Sequence, residues 1–173
     1  MKEIRRWDVM VRLIQQNGFS TFVEIGTKEG RTTHRVLQKT NAKVIACDPW
    51  QSQPQNAGKE CGETYDKWHF AGIKTEFWQS VGAWKDRLEF YRENSEQLAE
   101  RIEDESIDLV FLDGAHDYDS VKLDIDLYWQ KVRSGGILSG HDWQNSFPTV
   151  KRAVSERFDD IELEEDLVWW VRK

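Results

Sequence analysis

Sulfur, proline and long apolar runs are all scarce in this chain, and each scarcity removes a class of protein. The 173 residues contain only two cysteines, Cys47 and Cys61. No disulfide framework can hold the fold, and both thiols are expected free in a reducing, cytoplasmic setting. No apolar stretch approaches the ~20 residues that a membrane span requires, and Met1 leads into a charged, amphipathic stretch rather than a secretory leader. A membrane partner is therefore not expected. Positive charge is short as well: 24 Lys and Arg stand against 31 Asp and Glu, a formal net charge of −7. That balance argues against a nucleic-acid backbone as partner, because proteins that bind one usually present a basic surface. With three prolines, no repeat and no low-complexity tract, nothing reads as a linker. Residues 1–173 are expected to form one domain, long enough to bury a core unaided.

What is plentiful is aromatic bulk. Nine Trp, eight Phe and four Tyr lend size to a modest apolar fraction of 39%. The apolar residues also alternate between helical and strand-like patterns. Ile4, Trp7, Val11 and Ile14 recur at helical spacing before Asn17-Gly18, a helix-stopping pair. Thr21–Ile25 reads as a buried strand, residues 31–38 as a helix, and Lys43–Cys47 as a second strand. Helical character returns at 77–84, followed by a strand at 87–91. Asn94 with Gln97 three residues on is a capping box, opening a helix to about Ile102. Ile107–Leu112 is an apolar strand interrupted only by Asp108, and Val121, Ile125, Tyr128 and Val132 form one helical stripe. Residues 137–140 make a fifth strand, and Pro148 suits the first turn of a last helix carrying Val150, Val154 and Phe158. Residues 161–163 and 167–171 close the chain as a hairpin, with Trp169 and Trp170 on opposite faces of its second strand.

Five strand–helix alternations imply an α/β fold with a mostly parallel sheet and helices on both faces, a three-layer arrangement. A final antiparallel hairpin completes a seven-stranded sheet. Open sheets of this kind bind ligands at the carboxyl ends of their strands. Glu24, Asp48, Asn94, Ser95, Asp113, His116, His141 and Asp142 all fall at those ends. Gly26 and Gly30 bracket the first strand-to-helix turn, where missing side chains and free helix amides suit a carboxylate or phosphate; the same glycines would also serve a merely tight turn. Asp48 can accept two hydrogen bonds from a ribose, or it can cap its own loop. The third glycine of a dinucleotide fingerprint is absent, which weakens a nicotinamide reading.

The run from Val23 through Glu24, Gly26, Thr27, Lys28 and Gly30 to Thr32 resembles motif I of the Rossmann-like S-adenosylmethionine-dependent methyltransferases. Asp48-Pro49-Trp50 resembles the acidic second motif of a bacterial small-molecule and sugar O-methyltransferase subgroup. The similarity continues through Phe111–Tyr118 and Gly135–Asp142. It implies a cofactor pocket in which Glu24, Gly26, Thr27 and Gly30 line the methionine side and Thr32 meets its carboxylate. Asp48, Pro49 and Trp50 would hold the ribose side, Asn94 and Ser95 the adenine, with Asp113 and Gly114 alongside. Lys28 stands where the family usually has a small residue, which leaves the loop path open.

Methyl transfer from a sulfonium is an in-line displacement, so positioning supplies much of the rate. A hydroxyl acceptor also needs a base or a metal to lower its pKa. Asp113, His141 and Asp142, at the ends of adjacent strands, could hold a divalent cation. The metal-dependent O-methyltransferases, which this pattern resembles, use oxygen ligands at the three positions. An imidazole at His141 favours Mn, Fe or Zn over Mg. His116 stands where the catechol-type enzymes place a catalytic lysine, so it is a candidate base with His141 and Asp142; alternatively His116 and Asp117 cap the next helix. Residues 51–76 show no clear periodicity and are expected to form a lid or substrate loop. Trp68 and His69 within it, and Trp143 beyond Asp142, are candidate acceptor walls or core-packing feet. The acceptor is then a hydroxylated small molecule, with a sugar or sugar-bearing metabolite in view and a homodimer left open. Two other functions fit the same fold: a nicotinamide-dependent oxidoreductase, and a non-catalytic S-adenosylmethionine-binding domain.

Overall fold

The computed structural model describes residues 3–51 and 67–173, with side chains described from residue 70 onward in the second stretch. Seven strands form one sheet: β1 (Thr21–Ile25), β2 (Lys43–Cys47), β3 (Leu88–Tyr91), β4 (Ile107–Leu112), β5 (Val132–Gly140), β6 (Glu162–Leu163) and β7 (Trp169–Arg172). Their order across the sheet is β3-β2-β1-β4-β5-β7-β6. The first five run parallel, and β7 is antiparallel to both β5 and β6. The three-layer α/β arrangement and terminal hairpin read from the sequence are both present.

The helices sort by sheet face. Helices α1 (Arg6–Asn17), α2 (Arg31–Lys39) and α3 (Lys67–Val81) cover one core, built around Phe22, Val36, Phe77 and Phe111. Helices α4 (Ser95–Ala99), α5 (Tyr118–Lys131) and α6 (Pro148–Arg157) cover the other, around Val23, Val110, Tyr128 and Leu138. Alternate residues of β1 and β4 thus feed opposite cores, as the two-residue period of a strand demands. Trp169 is buried in the second core and Trp170 packs against the first, the opposite-face placement expected of neighbours in a strand. Gly140 is required by that packing, since a Cβ there would lie 2.5 Å from the Trp169 ring. Among the described residues no helix is long and apolar enough to cross a membrane.

Several boundaries differ from the sequence reading. In α1 the buried face is Val9, Met10, Leu13 and Ile14, while Ile4 precedes the helix and is exposed. The stripe is rotated because Met10 and Leu13 reach the sheet from positions flanking Val11. Val132 opens β5 instead of closing α5, and Ser134-Gly135-Gly136 forms an irregularity inside that strand, which begins five residues before the expected 137. Pairing jumps from Ile107–Val132 to Leu109–Ile137, and Gly135, at φ 78°, absorbs the extra length. Helix α4 stops at Ala99, short of Ile102. Residues 67–76, expected as loop, belong to α3. Phe70, Ile73, Phe77 and Val81 pack its inner face on the first core, at spacings of three and four that signal a helix. The rest of the expected lid, residues 52–66, lies outside the described residues.

Asp108, the interruption in β4, pins the opposite end of the sheet. Its Oδ2 accepts from the Ser20 and Thr21 amides at 2.7 and 2.9 Å and from both hydroxyls at 3.0 Å. Arg133 Nε donates to Oδ1 at 2.6 Å. Burial opposes the charge, but the Ser20 amide, Arg133 and the Thr21 amide outweigh it and hold the carboxyl at about 2.

Candidate functional site

The turn after β1 is shaped by two close approaches. Gly26 sits at φ 84°, and a Cβ on it would lie 2.2 Å from the Asp113 carbonyl oxygen. Glycine is needed there so that the β1 and β4 loops can cross. Gly30, at φ 80°, begins α2, and its Cβ would meet the Phe77 ring at 2.6 Å. Both glycines therefore answer to protein neighbours, and the amides of the turn are engaged within the protein: Gly26 and Thr27 donate to the Cys47 carbonyl and Gly30 to that of Thr27. Beneath the turn, Glu24 is 2% exposed. Thr27 donates to its Oε2 at 3.2 Å, and Thr33 donates to the same oxygen. Burial, opposed by the Thr33 hydroxyl and reinforced by Asp113, pushes Glu24 up to about 8. Thr32 is buried in the first turn of α2.

Asp48 follows β2 and braces the same loop. Its Oδ2 accepts from the Lys28 amide and its Oδ1 from the Trp50 amide, both at 2.8 Å. Burial raises its pKa against the pull of those two amides. Lys28 takes φ 47° to make the contact, so the unusual residue in motif I adopts a left-handed turn. Trp50 is 3% exposed, stacks on Phe90 at 4.4 Å and donates from Nε1 to the Lys28 carbonyl at 3.0 Å. Its ring belongs to the first core. Asn94 makes the expected capping box: its Oδ1 accepts from the Gln97 amide at 2.9 Å, and Gln97 Oε1 accepts from the Asn94 amide at 3.2 Å. Ser95 opens α4, and its hydroxyl meets the buried Asp124 of α5.

At the ends of β4 and β5, neighbours in the sheet, the titratable groups converge. His116 Nε2 lies 2.6 Å from Asp142 Oδ2. His141 Nδ1 lies 3.1 Å from Asp142 Oδ1 and 3.5 Å from Asp113 Oδ1. Asp113, His141 and Asp142 each offer one donor atom, and these lie within 4.8 Å of one another. A set of two carboxylates and one imidazole suits a divalent transition ion. Arg6, at the start of α1, places Nε 3.0 Å from Asp113 Oδ2. Burial raises Asp113 to about 6, although Arg6 and His141 pull the other way. Burial also works against a charged His141, yet Asp142 and then Asp113 outweigh it and raise its pKa. Asp142 is held well below the usual range because the bonds from His116 and His141 overcome its burial. A small cleft, open at its mouth, runs past Gly114, His116, Asp124, His141 and Asp142.

The structure thus brings Asp113, Gly114, His116, His141 and Asp142 together, with Glu24 on the adjoining strand and Gly26 and Thr27 in the turn that follows it. Asp117 is the residue that caps α5, accepting from the Ser120 amide at 3.0 Å; His116 turns to Asp142 and stacks on Phe147 at 4.6 Å. Trp143 is half-buried against the second core, with Lys151 Nζ 5.7 Å from its ring. Trp68 and His69 fall in the first turn of α3, and their side chains are outside the described residues. Three participants were missed by sequence reasoning. Thr33 adjoins the chosen Thr32, and Asp124 is the acidic residue on the otherwise apolar Val121–Tyr128 stripe, a visible signal. Arg6 carries no such signal, because its partner is more than a hundred positions away.

A protein of Acanthamoeba polyphaga mimivirus described as uncharacterized is 29% identical over 147 residues, covering 82% of this chain; the chain spans 61% of that relative's length. An O-methyltransferase from Bacillus cereus, solved in complex with SAH, superposes with a TM-score of 0.67 at 14% identity over 97% of this chain and 80% of its own. The O-methyltransferase NovP gives 0.68 at 16% identity over 94% and 76%, and the calicheamicin methyltransferase CalS11 gives 0.69 at 13% over 96% and 76%. At such identities these likenesses speak for the fold. The family model described as "Methyltransferase domain" matches residues 23–143, from β1 through the His141-Asp142 pair, and the chain belongs to that family, of the Rossmann-like S-adenosylmethionine-dependent class.

Proposed function

We propose that this chain transfers the methyl group of S-adenosylmethionine to a hydroxyl of a small molecule, and that sugars or sugar-bearing metabolites are the acceptor class. The observation that carries this reading is the His116–Asp142 contact of 2.6 Å beside Asp113 and His141. With Nε2–H donated to Asp142, Nδ1 of His116 is the nitrogen left to take the acceptor's proton. The adjacent carboxylate fixes the tautomer and stabilises the imidazolium that forms. The hydroxyl oxygen then forms a bond to the methyl carbon as the carbon–sulfur bond breaks, and the electron pair stays on sulfur. Glu24, Gly26, Thr27, Gly30 and Thr32 would line the methionine end of the cofactor, Asp48, Pro49 and Trp50 its ribose, Asn94 and Ser95 its adenine.

Asp113, His141 and Asp142 would hold a divalent cation, Mn, Fe or Zn in preference to Mg, which would lower the pKa of a bound hydroxyl. His116 and a metal are compatible, since Asp142 has one oxygen toward each histidine. The test is methyl transfer to a panel of glycosides and catechols, run with the parent and with His116→Asn. A fall in turnover of about 10²-fold or more in the variant, with S-adenosylhomocysteine still bound, is expected for a general base. Undiminished turnover would remove His116 from the reaction. Binding of S-adenosylhomocysteine without transfer to any hydroxylated acceptor would favour a non-catalytic domain.

A further inference from the structure

We infer that Arg6 is a built-in cation at Asp113, and that a divalent metal enters the Asp113–His141–Asp142 cluster by displacing its guanidinium. The inference rests on the metal reading above and adds a residue that lies outside the 23–143 family match.

Asp113 has a side-chain exposure of 12%. A carboxylate so placed needs a positive partner, since an uncompensated buried charge is strongly destabilising. Arg6 supplies it through Nε at 3.0 Å from Oδ2. The other oxygen, Oδ1, faces His141 Nδ1 at 3.5 Å. A metal ion among the three donors would set a second positive centre within a few ångströms of the guanidinium. Like charges so close in a poorly solvated site repel strongly. One cation therefore has to leave, and the arrangement favours Arg6 as the one that moves. Its Nε, although buried, lacks a well-aligned hydrogen-bond acceptor, and its side chain is 31% exposed. The backbone, by contrast, is fastened: the Arg6 amide donates to Asp166 Oδ2 at 2.8 Å, in the turn between β6 and β7. The start of α1 can stay docked while the side chain swings toward solvent. The titratable groups whose electrostatics Arg6 influences are Asp113, Glu24 and His141, two of them members of the metal-binding set.

The experiment titrates Mn²⁺ by calorimetry and by the electron paramagnetic resonance of free Mn²⁺. It compares the parent with Arg6→Gln and with Arg152→Gln, an equal charge change on the exposed face of α6. Arg6→Gln is expected to bind Mn²⁺ roughly tenfold tighter, the size of one charge-assisted contact removed from competition; Arg152→Gln is expected to match the parent. Arg6→Met keeps the stem without the charge and is expected to show the same tightening, which guards against poor folding of the glutamine variant. Equal or weaker binding by both Arg6 variants overturns the inference and leaves the metal reading standing where the parent binds. No Mn²⁺ binding by any of the proteins overturns both. Thermal stabilisation by S-adenosylhomocysteine, followed in parallel, reports on the cofactor pocket independently.

Discussion

Glu24→Gln should make this protein more stable, although it alters a residue at the heart of the site. Glu24 is 2% exposed, and its pKa rises from 4.5 to about 8, chiefly through burial. Between those values the folded protein holds a proton that the unfolded chain has released. Stability therefore falls as pH rises through that window, the opposite of the behaviour of a salt-bridged carboxylate. Each pH unit is worth ~1.4 kcal/mol. The cost is then about 3 kcal/mol at neutral pH and about 5 kcal/mol once pH exceeds the folded pKa. Glutamine keeps the oxygen that accepts from Thr27 and Thr33 and removes the titration. Urea unfolding of the parent and the variant across the window should give curves that meet near pH 4.5 and diverge by a few kcal/mol toward pH 8. Equal pH slopes for the two proteins would refute the argument, because they would place the buried charge elsewhere.

Three further outcomes follow from other contacts. Asp108→Ala should cost about 2–3 kcal/mol by leaving the amides of Ser20 and Thr21 without their acceptor, while the part-exposed Arg133 can turn to water. In the parent, the stability that Asp108 provides, about 2 kcal/mol, should be complete above its ordinary value of 3.8 and vanish as pH falls through about 2; chemical denaturation in acid measures both. Gly26→Ala should lower the melting temperature and abolish S-adenosylhomocysteine binding together, since its Cβ has only 2.2 Å to the Asp113 carbonyl oxygen. Asp48→Ala should weaken S-adenosylhomocysteine by tenfold or more in calorimetry, through loss of a charged acceptor worth roughly 1.5–3 kcal/mol and release of the Lys28 and Trp50 amides; unchanged affinity would move the ribose site elsewhere.

Local chemistry carried much of this molecule into its sequence. The strand ends were legible because apolar runs such as Ile107–Leu112 stop at Asp113, and Lys43–Cys47 stops at Asp48. The Asn94–Gln97 capping box was legible because its reciprocal bonds span only three residues. So was convergence on one sheet edge, since alternating strands and helices place every carboxyl end on the same side. Where the answer depended on what packs against what, the sequence was silent. The first ten residues of α3, 67–76, were hidden because their stripe is spaced among Trp68 and Gly72, and burial against the first core decides their state. The reasons for Gly26 and Gly30 lie in Asp113 and Phe77, far along the chain. Whether His116 caps α5 or pairs with Asp142 was settled by the register of β4 against β5, which brings residues 26 positions apart within 2.6 Å. Arg6 reaches Asp113 only because α1 docks beside the β6–β7 turn, where Asp166 holds its amide. Local pattern is written in near neighbours, but a charge finds its partner through the packing of whole elements, and that only the folded chain decides.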